Sequence, residues 1–366
     1  MMILSLQNEI NQKQKNLEVH VWKQNVMFKK KYNAATNKIH IISLSCNPVP
    51  PVRYGGIELV IAHLCEGLVD LGAQVVCYSP GEFNIPGVEH TKTLEQPSKH
   101  IKEGGKPNTE EHLKFVCLTL QRTLKAGDII LFNHSDHYRY LKRRLGIFNW
   151  LKVHTYEVAH WVDVGMQKNI IYPSQHLANQ LIKPGVVIPH GEKLLFNQTP
   201  LAGQRDDFLF FAGRITKDKG VDIALEACKK LGIQLVLAGP LNDKEFSTPI
   251  LADSSVKYLG ELTYEELFEV YCKCKALVYM TQYTEPFGLS IIEAMAAGAP
   301  VLTTGKGGTG ETILASKTGF FCNTAEDIVT AYKKLNLLDT NDSIVRAQDY
   351  TLDKMAQLYF DLFLKS

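Results

Sequence analysis

The sequence predicts an α/β fold with two doubly wound parallel sheets. From residue 38 onward, short apolar segments alternate with segments of helical periodicity. This alternation indicates parallel strands joined by right-handed helical crossovers. A chain of 366 residues is too long for one ordinary compact core, and a polar stretch with Pro and Gly interrupts the alternation between residues 192 and 207. We therefore expect two Rossmann-like domains joined by a linker.

The first series of elements begins with a strand at 38–46, followed by a loop that holds three prolines and two glycines. The next helix has apolar residues at helical spacing and ends at Gly72, which suits the position after a helix terminus. The elements that follow in this half are predicted as strand 73–80, helix 109–125, strand 128–134, helix 137–145, strands 150–157 and 169–174, helix 175–182 and strand 186–191.

The second series resumes with a strand at 207–213. Thr263 and Glu266 have the spacing of a capping box and predict the start of a helix. The other elements of this half are predicted as strands 233–240, 256–260, 276–281 and 300–304 and helices 221–232, 263–274, 289–298 and 326–336.

The last segment, residues 343–366, is predicted as a docking helix. One of its faces carries apolar side chains at helical spacing, namely Met355, Leu358, Tyr359, Leu362 and Phe363. The whole chain is thus predicted to have four parts, which are an N-terminal extension 1–37, a first domain 38–195, a second domain 206–345 and a C-terminal helix 346–366.

The composition is that of a globular protein, with 45% hydrophobic and 21% charged residues. No apolar run approaches the roughly 18 residues that span a bilayer, and the N-terminus lacks the basic region and cleavage site of a signal peptide. Eight scattered cysteines without paired zinc spacing indicate free thiols in a reducing compartment. We expect a cytoplasmic protein, and the net charge of +2 gives no sign of nucleic-acid binding.

Basic residues are concentrated in two places. Residues 1–38 carry seven lysines against two glutamates, and a predicted helix carries Arg139, Lys142, Arg143 and Arg144. One interpretation is that both basic regions are simply faces exposed to solvent. Peripheral docking on an anionic membrane surface is the other, because each basic residue near the lipid adds about 1 kcal/mol.

The most informative motif extends from Glu285 to Gly298. A strand delivers Glu285 to a loop, and Gly288 permits a tight turn into the next helix. The free N–H groups of such a helix start favour a phosphate, and the carboxylate of Glu293, one turn further on, suits a ribose. An ordinary buried helix with two solvated acids is the alternative, which the surrounding PFG and AMAAG sequences disfavour.

The second motif runs from Gly213 to Gly220, directly after the first strand of the second half. Arg214 and Lys219 supply two cations at the carboxyl end of that strand, where a diphosphate leaving group would accumulate charge. Cations in this position stabilise a departing nucleotide and can replace a divalent metal. Considered alone, the motif also fits a solvated basic turn.

The third motif, Gly55-Gly56, opens the first helix of the first half, just before Glu58. Adjacent glycines allow a phosphate or a sugar to approach the backbone closely, although any tight strand-to-helix turn would use the same residues. Neither half has the Gly-x-Gly-x-x-Gly fingerprint, which makes an oxidoreductase the weaker interpretation.

Together the three motifs resemble the retaining glycosyltransferases of family 4, and the resemblance covers residues 38–366. It implies the GT-B fold, in which two Rossmann-like domains face a central cleft. It is strongest at the two-glutamate motif from Glu285 to Glu293 and in the AMAAGAPVLTT and GGTGE sequences that follow. The C-terminal segment resembles the helix with which this family crosses back onto the first domain.

The resemblance implies a role for each matching residue on the sugar side of the donor. Glu293 matches the position that holds the donor ribose, and Glu285 matches the position that contacts the transferred sugar. The backbone amides that would meet donor groups are those of Phe287, Gly288 and Leu289.

The resemblance also implies which residues bind the donor diphosphate. Arg214 and Lys219 match the basic pair that binds it, with Gly213 preceding them in the same loop. Gly55 and Gly56 match the glycine loop of the first domain, which lies beside the diphosphate in relatives.

Relatives often place a histidine at the end of a first-domain strand, near the transferred sugar. His154 matches this position best and is assigned a catalytic role, whereas His134, at the end of the preceding strand, is assigned with Glu58 to the acceptor side. A metal site formed by His134, Asp136 and His137 is not expected, because their loop offers no clear further ligand.

Three residues depart from the family's pattern. In the loop that follows the last strand of the first half, His190 stands where relatives often carry Asn, and Glu192 stands where an apolar residue is common. Gly310 stands where many relatives have Pro or Ser before the acid of the GGTGE sequence. These departures concern the cleft and not the fold.

The resemblance thus implies a metal-independent hexosyltransferase of carbohydrate biosynthesis that retains the anomeric configuration and needs no cofactor. The donor would be a nucleoside-diphosphate sugar, with UDP-sugars the first choice and GDP-mannose the second. The acceptor is left open among a glycan, a lipid and a small molecule. A nucleotide-sugar 2-epimerase of the same architecture and a non-catalytic nucleotide-sugar-binding protein are the alternatives.

Overall fold

The computed structural model describes residues 31–98, 109–145, 153–196 and 205–366. Two parallel sheets form separate cores in the two halves of the chain. The predicted extension lies outside the described residues up to residue 30, and the predicted linker lies outside them between residues 197 and 204.

Among the described residues, the first half contains seven strands and four helices. The strands are β1 Lys38–Ile42, β2 Gln74–Ser79, β3 Glu89–Lys92, β4 Ile129–Phe132, β5 His154–Val158, β6 Ile170–Tyr172 and β7 Gly185–Val187. The helices are α1 Gly56–Asp70, α2 Thr109–Thr123, α3 Ser135–Leu145 and α4 Gln175–Leu181. All pairs are parallel, in the order β3-β2-β1-β4-β5-β6-β7, and an apolar core lies on each face.

The second half is built in the same way. Its strands are β8 Phe208–Ala212, β9 Gln234–Ala238, β10 Val256–Tyr258, β11 Ala276–Tyr279, β12 Val301–Thr303 and β13 Gly319–Phe321. Its helices are α5 Val221–Leu231, α6 Lys244–Leu251, α7 Tyr264–Lys273, α8 Leu289–Ala296, α9 Thr309–Thr312, α10 Ala325–Tyr332, α11 Thr340–Ala347 and α12 Leu352–Leu364. The strands are parallel in the order β10-β9-β8-β11-β12-β13, which is the doubly wound order of nucleotide-binding sheets.

The predicted fold class is confirmed, and the predicted strands and helices on described residues have counterparts with shifted bounds. Four short elements were not predicted, namely β3, α6, α9 and β13. The edge strand β3 has no buried residue and therefore gives no apolar signal. Helix α6 contains Pro249, a residue that ordinarily indicates a helix end.

The prediction of one docking helix over residues 343–366 is wrong in detail. The segment forms α11 and α12, separated by a 3₁₀ turn, and the side chain of Thr351 caps α12 by accepting a hydrogen bond from the N–H of Lys354. Leu358, expected on the buried face, is 46% exposed. The side chains of α12 that pack into the first-domain core are Met355, Tyr359 and Phe363.

Helix α12 follows the second domain in sequence but packs on α1 of the first domain. The contact is close, because a Cβ on Gly67 would lie 2.5 Å from the Cβ of Ala356. The chain just before α12 is bonded to Glu192, whose N–H donates to the carbonyl of Tyr350 (3.1 Å) and whose carbonyl accepts from the N–H of Leu352 (2.7 Å). The two points at which the chain passes between the domains are therefore joined.

Candidate active site

A pocket of about 310 Å³ lies between the two domains. Its first-domain wall is the loop and helix start after β1, which include Gly55 and Gly56. Its second-domain walls are the residues after β8 and β9, the start of α7 and the first turns of α8. Ligands of doubly wound sheets bind outside the carboxyl ends of the strands, and this pocket is where such edges of both sheets meet.

Glycines allow the backbones around the pocket to approach each other. A Cβ on Gly56 would lie 3.2 Å from Cδ1 of Leu289, so the first-domain loop lies directly against α8. Gly213 has φ +148°, and a Cβ on Gly239 would lie 2.1 Å from the carbonyl oxygen of Gly213. The backbones after β8 and β9 are therefore packed so closely that Gly239 has no space for a side chain.

The N-terminus of α8 points its backbone donors toward the same pocket. Gly288 precedes the helix with φ +99°, which favours glycine, and Leu289 and Ser290 line the pocket. Within the described residues, the N–H groups of Gly288, Leu289 and Ser290 donate to no acceptor, as is usual in a first helical turn. The Phe287 side chain is buried away from these donors, 5.2 Å between ring centroids from His190.

Lys219 and Glu285 form a buried ion pair beside this helix start. Lys219 Nζ lies 2.6 Å from Glu285 Oε2, and the two side chains are 8% and 14% exposed. The same carboxylate oxygen accepts hydrogen bonds from the hydroxyls of Tyr279 (2.9 Å) and Tyr283 (2.7 Å). Lys219 also donates to the Tyr279 hydroxyl at 2.8 Å. Lys219, one of the two cations predicted from sequence, is thus paired with the predicted sugar-binding glutamate.

The pKa values of Lys219 and Glu285 depend on the burial of both groups and on the ion pair between them. Burial alone would raise the pKa of Glu285, but the Lys219 cation and the tyrosine hydroxyls hold that pKa below its ordinary value. Burial lowers the pKa of Lys219, and the Glu285 carboxylate opposes that decrease. Each group therefore depends on the other for its charge.

Arg214 connects this network to the first domain. Its guanidinium lies near the hydroxyls of Tyr54, in the first-domain wall, and Tyr283, and it interacts with both electrostatically. It also lies 3.8 Å from Asp218. Burial acts to lower the pKa of Arg214, but the surrounding tyrosines and Asp218 outweigh it and the pKa is raised. Arg214 is therefore a cation at the boundary of both domains.

Glu293 lies inside α8 and borders the pocket. Its Oε2 accepts a hydrogen bond from the Tyr271 hydroxyl at 2.8 Å, and only 7% of the residue is exposed. Burial raises the pKa of Glu293 to about 7. The carboxyl group of Glu293 also interacts with that of Glu192, a residue whose exposed fraction is 0%.

The expected position of His154 is wrong. His154 is the first residue of β5 and pairs with Ile129, the first residue of β4, so it lies at the amino edge of the sheet, opposite the cleft. The predicted strand began at residue 150, and this shift placed His154 close to its end. His160, two residues beyond the end of β5, occupies the carboxyl edge and was missed.

His160 belongs to a chain of rings that enters the cleft. Its ring lies 5.3 Å from that of His190, which in turn contacts Phe287 of the second domain. Its Nε2 lies 3.1 Å from the side-chain oxygen of Asn133, and burial holds its pKa well below the ordinary value. The sequence signal for His160 is its place just after an apolar strand.

The two residues assigned to the acceptor side are separated. His134 follows β4 at the carboxyl edge and packs edge-on against Trp161, at 5.0 Å between ring centroids. Glu58 is 3% exposed, lies near Asn47 and is absent from the pocket wall. Burial raises the pKa of Glu58 to about 7. The Glu58 carboxyl is therefore positioned to support the glycine loop and not to meet an acceptor.

Three features of the described residues concern metal ions and membranes. In the part of the chain that the structure covers, no three His, Cys, Asp or Glu side chains are grouped in a way that could hold a metal ion. No helix in the described ranges is both long and apolar enough to cross a bilayer. On α3, Arg139 and Arg144 form ion pairs, whereas Lys142 and Arg143 have no acidic partner among the described residues.

Residues 195–349 match the family model described as glycosyl transferases group 1. Glycogen synthase of Mycobacterium tuberculosis is 32% identical over 123 residues, a match that covers 31% of this chain and 30% of that protein. The structure of sucrose-phosphate synthase from Thermosynechococcus elongatus has a TM-score of 0.73 at 19% identity and covers 90% of this chain and 100% of that one. The structure of Anabaena HepE in complex with UDP-glucose has a TM-score of 0.67 at 14% identity, again over 90% and 100%.

The structural matches agree with the two parallel sheets of the chain. The match to glycogen synthase spans less than a third of that protein, whereas the structural likeness extends over almost the whole chain. Residues 195–349 are therefore similar to the glycosyl transferases group 1 family, and the two domains of the chain have the GT-B fold.

Proposed function

We propose that this protein transfers a hexosyl unit from a nucleoside-diphosphate sugar to an acceptor hydroxyl, with retention of anomeric configuration and without a metal ion. The observation that carries the proposal is the convergence of Arg214, the Lys219–Glu285 pair and the N-terminus of α8 beside one interdomain pocket. These groups are oriented donors and cations at the place where a leaving diphosphate would gather negative charge.

Each group has a distinct part in this reaction. Arg214 and the amides at the start of α8 bind the diphosphate and stabilise its charge as the glycosidic bond breaks. Lys219 neutralises Glu285 and holds its carboxylate toward the sugar. Glu293 accepts the ribose hydroxyls, and His160, which occupies the strand-end position assigned to His154, lies on the sugar side.

Retention is proposed through front-face attack. The acceptor hydroxyl approaches the anomeric carbon from the side of the leaving diphosphate, and a phosphate oxygen takes its proton. A covalent intermediate on Glu285 is disfavoured, because one of its oxygens is engaged by Lys219 and two tyrosine hydroxyls. Such bonds lower the nucleophilicity of a carboxylate.

For the donor we propose a UDP-sugar first and GDP-mannose second, with no further cofactor. The UDP-glucose in the HepE complex supports the first choice. The acceptor class stays open among glycans, lipids and small molecules. We also propose that the protein is cytoplasmic and contacts an anionic membrane peripherally through Lys142 and Arg143, which have no acidic partner among the described residues.

The test is nucleotide release from UDP-glucose and GDP-mannose in the presence of EDTA, for the wild type and for Arg214→Ala and Lys219→Ala. We expect each variant to lower turnover by about 10²-fold or more, because a positioned charge is lost from the transition state. Lys217→Ala, an exposed lysine of the same turn, is the matched control and keeps wild-type turnover. Unchanged turnover in both Arg214→Ala and Lys219→Ala would exclude the proposed roles, and formation of an epimer from UDP-N-acetylglucosamine alone would favour the epimerase.

A further inference from the structure

Glu192 is a buried acid that none of the proposed steps uses. It lies in the segment that leaves β7 for the second domain, and no part of the residue is exposed. Its backbone is fixed by the hydrogen bonds to Tyr350 and Leu352. At the preceding position, a Cβ on Gly191 would lie 2.2 Å from the carbonyl oxygen of Thr351. The direction of the Glu192 side chain is therefore set by the crossover of the chain.

The Glu192 carboxyl faces Glu293 across the domain boundary. The two carboxyl groups are within hydrogen-bonding reach of each other. Within the described residues, however, neither oxygen of Glu192 receives a hydrogen bond from a donor, and both are buried. Two acceptor groups placed in this way can bond only if one of them carries a proton.

Among the described residues, the groups around the pair do not supply a cation. Helix α7 contributes the hydroxyls of Tyr264 and Tyr271, of which Tyr271 donates to Glu293. The neighbouring Lys193 is paired with Glu66 on α1. His63, also on α1, has a pKa lowered by burial to about 4 and is neutral at physiological pH.

Two buried carboxylates in contact, without a cation, are strongly unfavourable as a doubly charged pair. Burial and the charge of Glu293 raise the pKa of Glu192 well above its ordinary value. The pKa of Glu293, raised to about 7 by burial, is the lower of the two because Tyr271 and Glu192 stabilise its charged form. The pair therefore titrates as one unit, and above about pH 7 it carries a single negative charge on Glu293, which borders the pocket.

We infer that Glu192 carries a proton that it donates to Glu293, and that this hydrogen bond presents Glu293 to the pocket as an ionised carboxylate ready to accept the hydroxyls of a ribose. The ribose part rests on the proposed function, whereas the shared proton does not. Glu192 is a positioning residue in this scheme. The apolar residue that relatives often have at its position could not donate such a bond.

A ligand-free experiment tests the shared proton. The stability of the wild type, Glu192→Gln and Glu192→Leu is measured by denaturant unfolding from pH 5 to 8. A carboxyl whose pKa is raised on folding contributes stability below its unfolded pKa and loses it as pH rises toward the folded pKa. We expect the ratio of the wild-type folding constant to that of Glu192→Gln to fall about tenfold for each unit by which the pH rises. Parallel pH profiles would overturn the shared proton.

A binding experiment tests the positioning role. The probes are UDP-glucose and GDP-mannose, whose diphosphates are diesters and do not titrate between pH 6 and 8. We expect wild-type affinity to increase from pH 6 to 8 as Glu293 ionises. Glu192→Gln retains a hydrogen-bond donor, and we expect its affinity at pH 7 to lie within about threefold of the wild-type affinity. Glu192→Leu has no donor, and we expect it to bind at least about tenfold more weakly than the wild type, which is the effect of losing one hydrogen bond to a charged group.

The outcomes of the two experiments separate the claims. Wild-type affinity in Glu192→Leu would overturn the positioning role. If neither nucleotide sugar binds the wild type, the proposed function fails while the stability profile still decides the shared proton. Glu226→Gln, an exposed acid on α5, is the control and leaves both profiles unchanged.

Discussion

The buried Lys219–Glu285 pair allows a test at the scale of single residues. Removing one member of a buried ion pair leaves an uncompensated charge and costs about 3–5 kcal/mol. We expect Glu285→Gln to destabilise the protein more than Lys219→Met, because Lys219 would keep one hydroxyl partner whereas Glu285 would keep two. Denaturant unfolding of both single variants and of the double variant measures these costs.

The double variant distinguishes a true pair from two independent residues. It removes both charges and should lose less stability than the two single losses combined. Additive losses would show that the pair contributes no coupling.

At this scale the sequence predicted residue types well and strand positions less well. Lys219 pairs with Glu285, and Arg214 interacts with Tyr283 of the same cluster, whereas Glu293 borders the pocket from α8. His154 was misplaced because its strand starts four residues later than predicted. Glu192 and Glu293 are about 100 positions apart in the sequence, and no local sequence pattern predicts their contact.

Helix α8 is the element on which the proposed diphosphate site depends most. At Gly288 φ is +99°, and an added Cβ would lie 3.0 Å from Cγ2 of Thr309. Gly288→Ala should therefore cost about 1–2 kcal/mol for the backbone conformation and displace the first amides of α8. We expect its affinity for a nucleotide sugar to fall about tenfold or more, which isothermal titration would measure.

Gly232 provides the matched control for this substitution. It also has a positive φ, +69°, but at the end of α5, and an added Cβ would meet nothing within 4 Å. Gly232→Ala should lose similar stability and keep its affinity for the nucleotide sugar. Equal affinities for the two variants would show that the start of α8 does not contribute to binding.

Element boundaries depended on signals of unequal strength. The capping box of Thr263 and Glu266 is predicted from the sequence, and the structure contains it. The break between α11 and α12 was missed, although Thr351 and Lys354 have the spacing of an N-cap and its bonded N–H. The helical periodicity of the flanking residues concealed it.

At the scale of the whole molecule, Glu311 joins the domains. Its carboxylate, in the GGTGE sequence of the second domain, accepts hydrogen bonds from the N–H groups of Gln175 (2.9 Å) and His176 (2.5 Å) at the start of α4. Such caps are worth about 1 kcal/mol. We expect Glu311→Ala to increase the radius of gyration measured by X-ray scattering, with Glu326→Ala as a surface control. An unchanged radius would mean that other contacts hold the domains together.

The C-terminal helix couples the stability of the two domains. Because α12 continues from the second domain and buries Phe363 in the first, unfolding of either domain should disturb the other. Phe363→Ala removes a fully buried ring and should cost about 3–5 kcal/mol. We expect the single calorimetric transition of the wild type to separate into two, since the first domain would unfold at lower temperature. Leu358→Ala, which changes an exposed residue of the same helix, should keep one transition. A single transition in Phe363→Ala, shifted as a whole, would show that the pocket interface alone couples the domains.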